Sequence, residues 1–217
     1  MIEVYEYPAI LAGASLLPVV FMIALLSRVS GGLLSRTGAT VPLIVGPIIA
    51  GLGYTYFSIP GFSGNYWTTF FPGFVLLGLG MSIVVVPLTT VVMTAFDQDQ
   101  AGVSSGINNA ASRISGVIAV ALFGALVTTV FTIVLEDRMA LLDLPNFVLT
   151  QLQAQSNLLT ASEIPSGLSK ETATLVKSII NESLLSGLQA AMLLSAALAF
   201  SSSVFAAVMI RYKPTQS

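Results

Sequence analysis

Four stretches of this chain carry no Asp, Glu, Lys or Arg: residues 7–27, 37–96, 114–135 and 183–210, which are 21, 60, 22 and 28 residues long. A helix needs about 20 apolar residues to cross the hydrocarbon core of a bilayer. The four runs therefore have room for five crossings, since the longest holds two. The first span is predicted at about 8–27, the second at 41–57 and the third at 66–95. Between the second and third lies Ser58-Ile-Pro-Gly-Phe-Ser-Gly-Asn65, uncharged and built from turn-forming residues. The fourth span is predicted within 101–134, with Asp99 as an N-cap before it and the crossing itself from about Ile114 to Val134. The fifth occupies 184–210, ahead of a short tail at 211–217. The fold class is an all-α membrane protein with five transmembrane helices.

Residues 135–183 break this pattern, holding nine of the 18 charges together with Pro145 and Pro165. Leu168, Thr172, Leu175, Val176, Ile179 and Ile180 recur at helical spacing, so 169–183 is expected to be an amphipathic helix. A shorter one is expected after Asn146, using Phe147, Leu149 and Leu152. Such helices lie along a membrane interface or cap the mouth of a bundle; a solvated loop with local helix is the plainer alternative.

Only 8% of the residues are charged, against about 25% in an ordinary soluble domain, and where they fall sets the orientation. One side gathers Arg28, Arg36, Arg113, Arg211 and Lys213 against Asp97 and Asp99. The other has Arg138, Lys170 and Lys177 against Glu3, Glu6, Glu136, Asp137, Asp143, Glu163, Glu171 and Glu182. The positive-inside rule then places the C-terminus in the cytoplasm and, with five crossings, the N-terminus outside. Tyr5, Tyr7, Tyr54, Tyr56, Tyr66 and Trp67 all fall at the outer ends of spans, as an interfacial aromatic belt does. An external start with no basic leader and an odd helix count leads to the expectation that something preceding Met1 is missing.

Candidate chemistry is sparse. The chain has no Cys and no His, which excludes disulfides, zinc sites, thiol nucleophiles and Ser-His dyads. No metal or other cofactor is expected. A net charge of −2 gives no basic surface for nucleic acid. The spans contain no ionisable side chain except Tyr, so a membrane-buried carboxylate for proton coupling or for aspartyl proteolysis is not on this chain. An enzyme is not expected.

What the spans do contain is small residues, prolines and hydroxyls. Gly102, Gly106, Ser112, Gly116 and Gly124 run along the fourth span, as residues that let helix backbones approach closely. They suit either static packing or a sliding interface. Pro18, Pro47 and Pro87 lie inside the first three spans and invite kinks. Thr89 and Thr90 follow Pro87 and are placed to satisfy a carbonyl it frees. In membrane helices, however, hydroxyls mostly bond their own backbone. Phe21, Met22, Met81 and Ser82 are candidates for an adaptable wall facing a lipophilic ligand, with plain packing as the alternative.

Between the first two spans the chain reads Gly32-Leu-Leu-Ser-Arg36-Thr-Gly38-Ala-Thr40-Val-Pro-Leu. This resembles the G-x-L-x-D-R-x-G-R-R loop signature of the major facilitator superfamily. Ser35 stands in place of the Asp, and Ala39 and Thr40 in place of the basic pair, so the ion-pair latch of that loop lacks its acid here. Ala12-Gly-Ala-Ser-Leu-Leu-Pro18 resembles the entry to the helix before that loop, and Gly78 through Pro87 to Thr90 the helix after the next. Ala101-Gly-Val-Ser-Ser-Gly106-Ile-Asn-Asn-Ala-Ala-Ser-Arg113-Ile-Ser-Gly116 is similar to a segment of the fourteen-helix drug:proton antiporter branch.

The resemblance implies that the five spans are the last five helices of a carboxyl-terminal half whose first helix is missing. Major facilitator halves are inverted three-helix repeats. It further implies that the first, third and fourth spans border a central cavity with the second and fifth outside. Gly32, Arg36 and Gly38 then belong to the gating loop, and Asn109 and Arg113 to the inner end of the fourth span. The expected partners are the lipid bilayer, a small-molecule substrate and the missing amino-terminal helices of the same transporter. The expected location is a bacterial cytoplasmic membrane, and the expected activity proton-coupled efflux of drugs or other lipophilic or cationic compounds. The chain alone is not expected to transport. A small non-catalytic membrane protein that packs against another through the fourth span is the alternative.

Overall fold

The computed structural model describes residues 7–59, 65–95, 100–140 and 170–210. Among them there is no strand, and five helical segments are long and apolar enough to cross a membrane. The first span is two helices, α1 (Ala9–Ala14) and α2 (Leu17–Thr37), meeting at Ser15 and Leu16. The second is α3 (Thr40–Phe57). The third is a single π-helical turn, Tyr66–Phe70, continuing into α4 (Phe71–Thr94). The fourth and fifth are α5 (Ala101–Ala140) and α6 (Lys170–Met209), each 40 residues.

Three boundaries differ from the sequence expectation. The first span continues through Arg28 and Arg36 to Thr37, because charge does not end a helix and Gly31 and Gly32 weaken it without breaking it before Gly38. There the backbone turns at φ 69, a conformation glycine adopts without a Cβ penalty, while its N–H still bonds the Leu34 carbonyl at 3.0 Å. Charge likewise fails to end α5, which passes through Glu136 and Asp137 to Ala140. The amphipathic segment expected at 169–183 is not a separate helix but the first turns of α6. Its Val176, Ile179 and Ile180 are buried, while Leu175 stays largely exposed. The helix expected after Asn146, Pro145, Pro165 and Leu168 lie outside the described residues, as do Asp97, Asp99, Arg211 and Lys213.

The chain divides into two compact units, one of residues 1–8 with 119–191, the other of 9–118 with 192–217. In the first, the later part of α5 and the earlier part of α6 form an antiparallel pair. Its core is Phe131, Leu135 and Met139 from α5 against Val176, Ile179, Ile180 and Leu184 from α6. Gly187 lets α6 close on α5, since a Cβ there would lie 2.8 Å from the Val127 carbonyl oxygen. Arg138 and Glu182 form an ion pair at 3.0 Å beside this core. Both side chains are half exposed, so the pair is worth about 0–1 kcal/mol.

In the second unit, α4 packs against α2 on one side and α3 on another. The α3–α4 crossing is made of glycine against glycine: a Cβ at Gly80 would meet the Ala50 nitrogen at 2.6 Å and the Gly46 carbonyl at 2.7 Å. Gly73 lies as closely over the Phe57 ring and Gly51 over the Phe200 ring of α6, while a Cβ at Gly53 would be 3.1 Å from Leu77. Since lipid is as apolar as a side chain, such close approach is what holds helices together in a membrane. The opposite stripe of α3, Val41, Val45, Ile48 and Leu52, is exposed at helical spacing, a face suited to lipid. Polar ties supplement this: Ser203 donates to the Ile44 carbonyl at 2.9 Å and Ser104 to that of Val92 at 2.8 Å.

Candidate functional site

The prolines act in two ways. Pro47 and Pro87 are buried inside α3 and α4. Each lacks the N–H that the carbonyl four residues earlier would accept, which weakens the ladder locally. Thr89 and Thr90 sit next to Pro87 but bond the Val85 and Val86 carbonyls at 2.9 Å, not that of Ile83, the one Pro87 leaves without a donor. Their hydroxyls are thus taken up by their own helix. Ser82, fully buried, likewise donates to Leu79 at 2.7 Å. Its carbonyl accepts from Ser30 of α2, a buried hydrogen bond between two spans. Pro18 stands in the first turn of α2, directly after the break in the first span.

Of the other candidate wall residues, Met22 packs against α4, where its Cβ would be 2.8 Å from one built on Gly78. Phe21 and Met81 are exposed, at 63% and 43%. Asn109 and Arg113 are exposed on α5. In the loop motif, Gly32 and Arg36 are exposed in the last turns of α2, with nothing within 4 Å of a Cβ at Gly32, while Gly38 forms the turn itself.

The small-residue strip of α5 meets none of the described residues. A Cβ added at Gly102, Gly106, Gly116 or Gly124 would find no atom within 4 Å, and Ser112 is exposed with them. The first span is similarly bare: Leu17, Phe21, Leu25 and Val29 are all more than half exposed. The residues that join spans were instead Gly46, Gly78, Gly80, Ser30 and the pair Tyr66–Ser15, where the Tyr66 hydroxyl donates to the Ser15 carbonyl at 3.0 Å. Spacing had marked the glycines of the fourth span and not these; which glycines find a partner depends on how the helices cross.

Aromatic residues gather at the Tyr66 end of this unit. Tyr66 stacks edge-on to Trp67 at 5.4 Å, Trp67 tilts over Phe71 at 5.1 Å, and the Tyr56 hydroxyl donates to the Thr68 carbonyl. Tyr5 lies outside the described residues.

The glycine-glycine crossing of α3 and α4 and the G-x-L-x-x-R-x-G pattern that closes α2, which in register runs from Gly31 to Gly38, agree with what sequence comparison finds. The sequence profile of the Major Facilitator Superfamily matches residues 1–120. The chain belongs to the Major Facilitator Superfamily. Among curated relatives of this superfamily member, the tetracenomycin C resistance and export protein of Streptomyces glaucescens is 27% identical over 94% of the chain. The multidrug resistance protein Stp of Mycobacterium tuberculosis is 29% identical over 63% of it. The lincomycin resistance protein of Streptomyces lincolnensis is 31% identical over 52%. The chain spans only 38%, 25% and 23% of the lengths of these three relatives. No solved structure matches it. As a superfamily member with apolar spans, it is an integral membrane protein of a transporter family, and a bacterial inner membrane fits its bacterial relatives.

Proposed function

We propose that this chain supplies the last five helices of a fourteen-helix drug:proton antiporter, whose intact form exports a lipophilic or cationic small molecule by alternating access. The observation that carries this is the alignment of 94% of the chain to 38% of an export protein. The bare faces of the first span and of α5 support it, because both are surfaces that further helices would cover. In this reading the first span, α4 and α5 border the cavity, with Phe21 and Met81 on its wall. The turn at Gly32, Arg36 and Gly38 is part of the gating loop, and Asn109 and Arg113 lie at the inner end of α5. The N-terminus is outside and the C-terminus cytoplasmic, as the basic residues on that side favour. The coupling carboxylate belongs to the remaining helices, since the charge-free runs hold none.

The chain alone then lacks half of the cavity and does not transport. Purified and reconstituted in liposomes, it should give no pH-gradient-driven flux of a lipophilic cation such as ethidium above protein-free vesicles. Supplying the in-frame sequence upstream of Met1 should restore flux. Gradient-driven flux by the 217-residue chain alone would overturn the incompetence of the fragment. A second reading rests on the same bare strip of α5: a non-catalytic membrane protein bound to a separate partner. A stop codon directly upstream, with stoichiometric co-purification of another membrane protein, would replace the first reading with the second.

A further inference from the structure

The first span is interrupted between α1 and α2, and the interruption displaces the carbonyls of one turn from their usual donors. The Leu16 N–H bonds Gly13 at 3.2 Å instead of Ala12, and the Ser15 hydroxyl takes the Ala12 carbonyl at 2.6 Å. Residue 18 is proline and offers no N–H to Ala14. The Val19 N–H bonds Leu16 at 3.1 Å, and the Ser15 carbonyl accepts from the Tyr66 hydroxyl at 3.0 Å. Tyr66 comes from the third span, 51 residues away, and opens the π-helical turn. Immediately below the break, α2 is held to α4: Val19 and Met22 close over Gly78, and Ser30 bonds Ser82. The break thus lies between a clamped helix, α2, and a six-residue one, α1, whose Ile10 and Leu11 are exposed.

The partner turn is itself incompletely satisfied. Thr69 is buried, 2% exposed, and its hydroxyl has no hydrogen-bond partner. A buried hydroxyl left unpaired disfavours the arrangement that holds it, and a π-helical turn carries an extra residue that α-helical pairing would re-register. Both sides of the Tyr66–Ser15 bond therefore have an alternative backbone pairing, which is the requirement for a two-state element.

We propose that Ser15–Leu16 is a hinge in the first span and that the Tyr66 hydroxyl is its latch: while the bond to the Ser15 carbonyl stands, α1 is held in one position relative to α2, and when it is released α1 swings while α2 stays clamped to α4. The device concerns the end of the bundle where the aromatic residues gather and does not depend on what the protein carries.

The absence of cysteine makes the test direct. In the full chain in nanodiscs, spin labels at Leu11→Cys and Val85→Cys report α1 against α4, and labels at Leu25→Cys and Val85→Cys report α2 against α4. Tyr66→Phe should broaden the first distance distribution about twofold and leave the second unchanged. Adding Pro18→Ala, which returns an N–H for the Ala14 carbonyl, should narrow the first distribution again. An unchanged first distribution in Tyr66→Phe, equal broadening of both pairs, or failure of Pro18→Ala to reverse the effect would each overturn the proposal.

Discussion

Two sets of glycines in this molecule look alike in sequence and behave oppositely. Those of α3 and α4 are buried in contacts so close that a methyl group has no place: Gly80 sits on the Ala50 nitrogen and the Gly46 carbonyl, Gly73 on the Phe57 ring. Those of α5, at 102, 106, 116 and 124, look onto empty space. The spans repeat the contrast, with 39% of the second span's most apolar stretch buried against 6% of the fourth's. Small residues at helical spacing therefore announce a capacity for close approach without saying whether this chain uses it. The packed set holds α3 and α4 together; the other set leaves α5 with a face that none of the described residues covers.

The contrast breaks most sharply at Gly80. Gly80→Val should prevent the α3–α4 crossing altogether, because the atoms in its way are backbone; overpacking alone costs about 1–3 kcal/mol even where side chains can shift. Loss of cooperative unfolding in detergent, followed by the fluorescence of the lone Trp67, is the readout. A smaller effect is expected at the polar contact between spans. Ser30→Ala removes the donor to the Ser82 carbonyl and should cost about 0.6–1.7 kcal/mol in the same titration. At the bottom of the scale, Gly116→Ala should change the stability of this chain by less than about 0.5 kcal/mol, or raise it slightly through helix propensity. In a longer polypeptide or with a bound partner, Gly116→Ala should instead weaken association. A large loss from Gly116→Ala in the isolated chain would mean that the two sets of glycines are equivalent after all.

Much of the fold was legible because the membrane imposes a length. Runs without charge as long as 37–96 had to contain two crossings, and the turn composition at 58–65 placed the division between α3 and the third span. Helix ends outside the apolar runs were less legible, since charge is no obstacle to a helix in water. Arg28, Arg36, Glu136 and Asp137 all lie within helices, and α6 begins well before its apolar run. The joining residues were hidden for a different reason. Ser30 with Ser82 and Ser15 with Tyr66 pair residues about fifty positions apart, and nothing local to either member signals the other. Pro18 gave half of the hinge; the hydroxyl that answers the displaced carbonyl became visible only with the helices side by side.

The turn at Gly38 bears on how the protein is made. Only Gly38 and Ala39 separate α2 from α3, a reach of about 7 Å when extended, far short of the ~30 Å hydrocarbon core. A connection that short cannot carry the chain back across the bilayer, so if both helices span, they must cross in opposite senses, as a hairpin whose ends meet at one face of the membrane. A turn made at a single glycine thereby fixes the relative sense of two crossings.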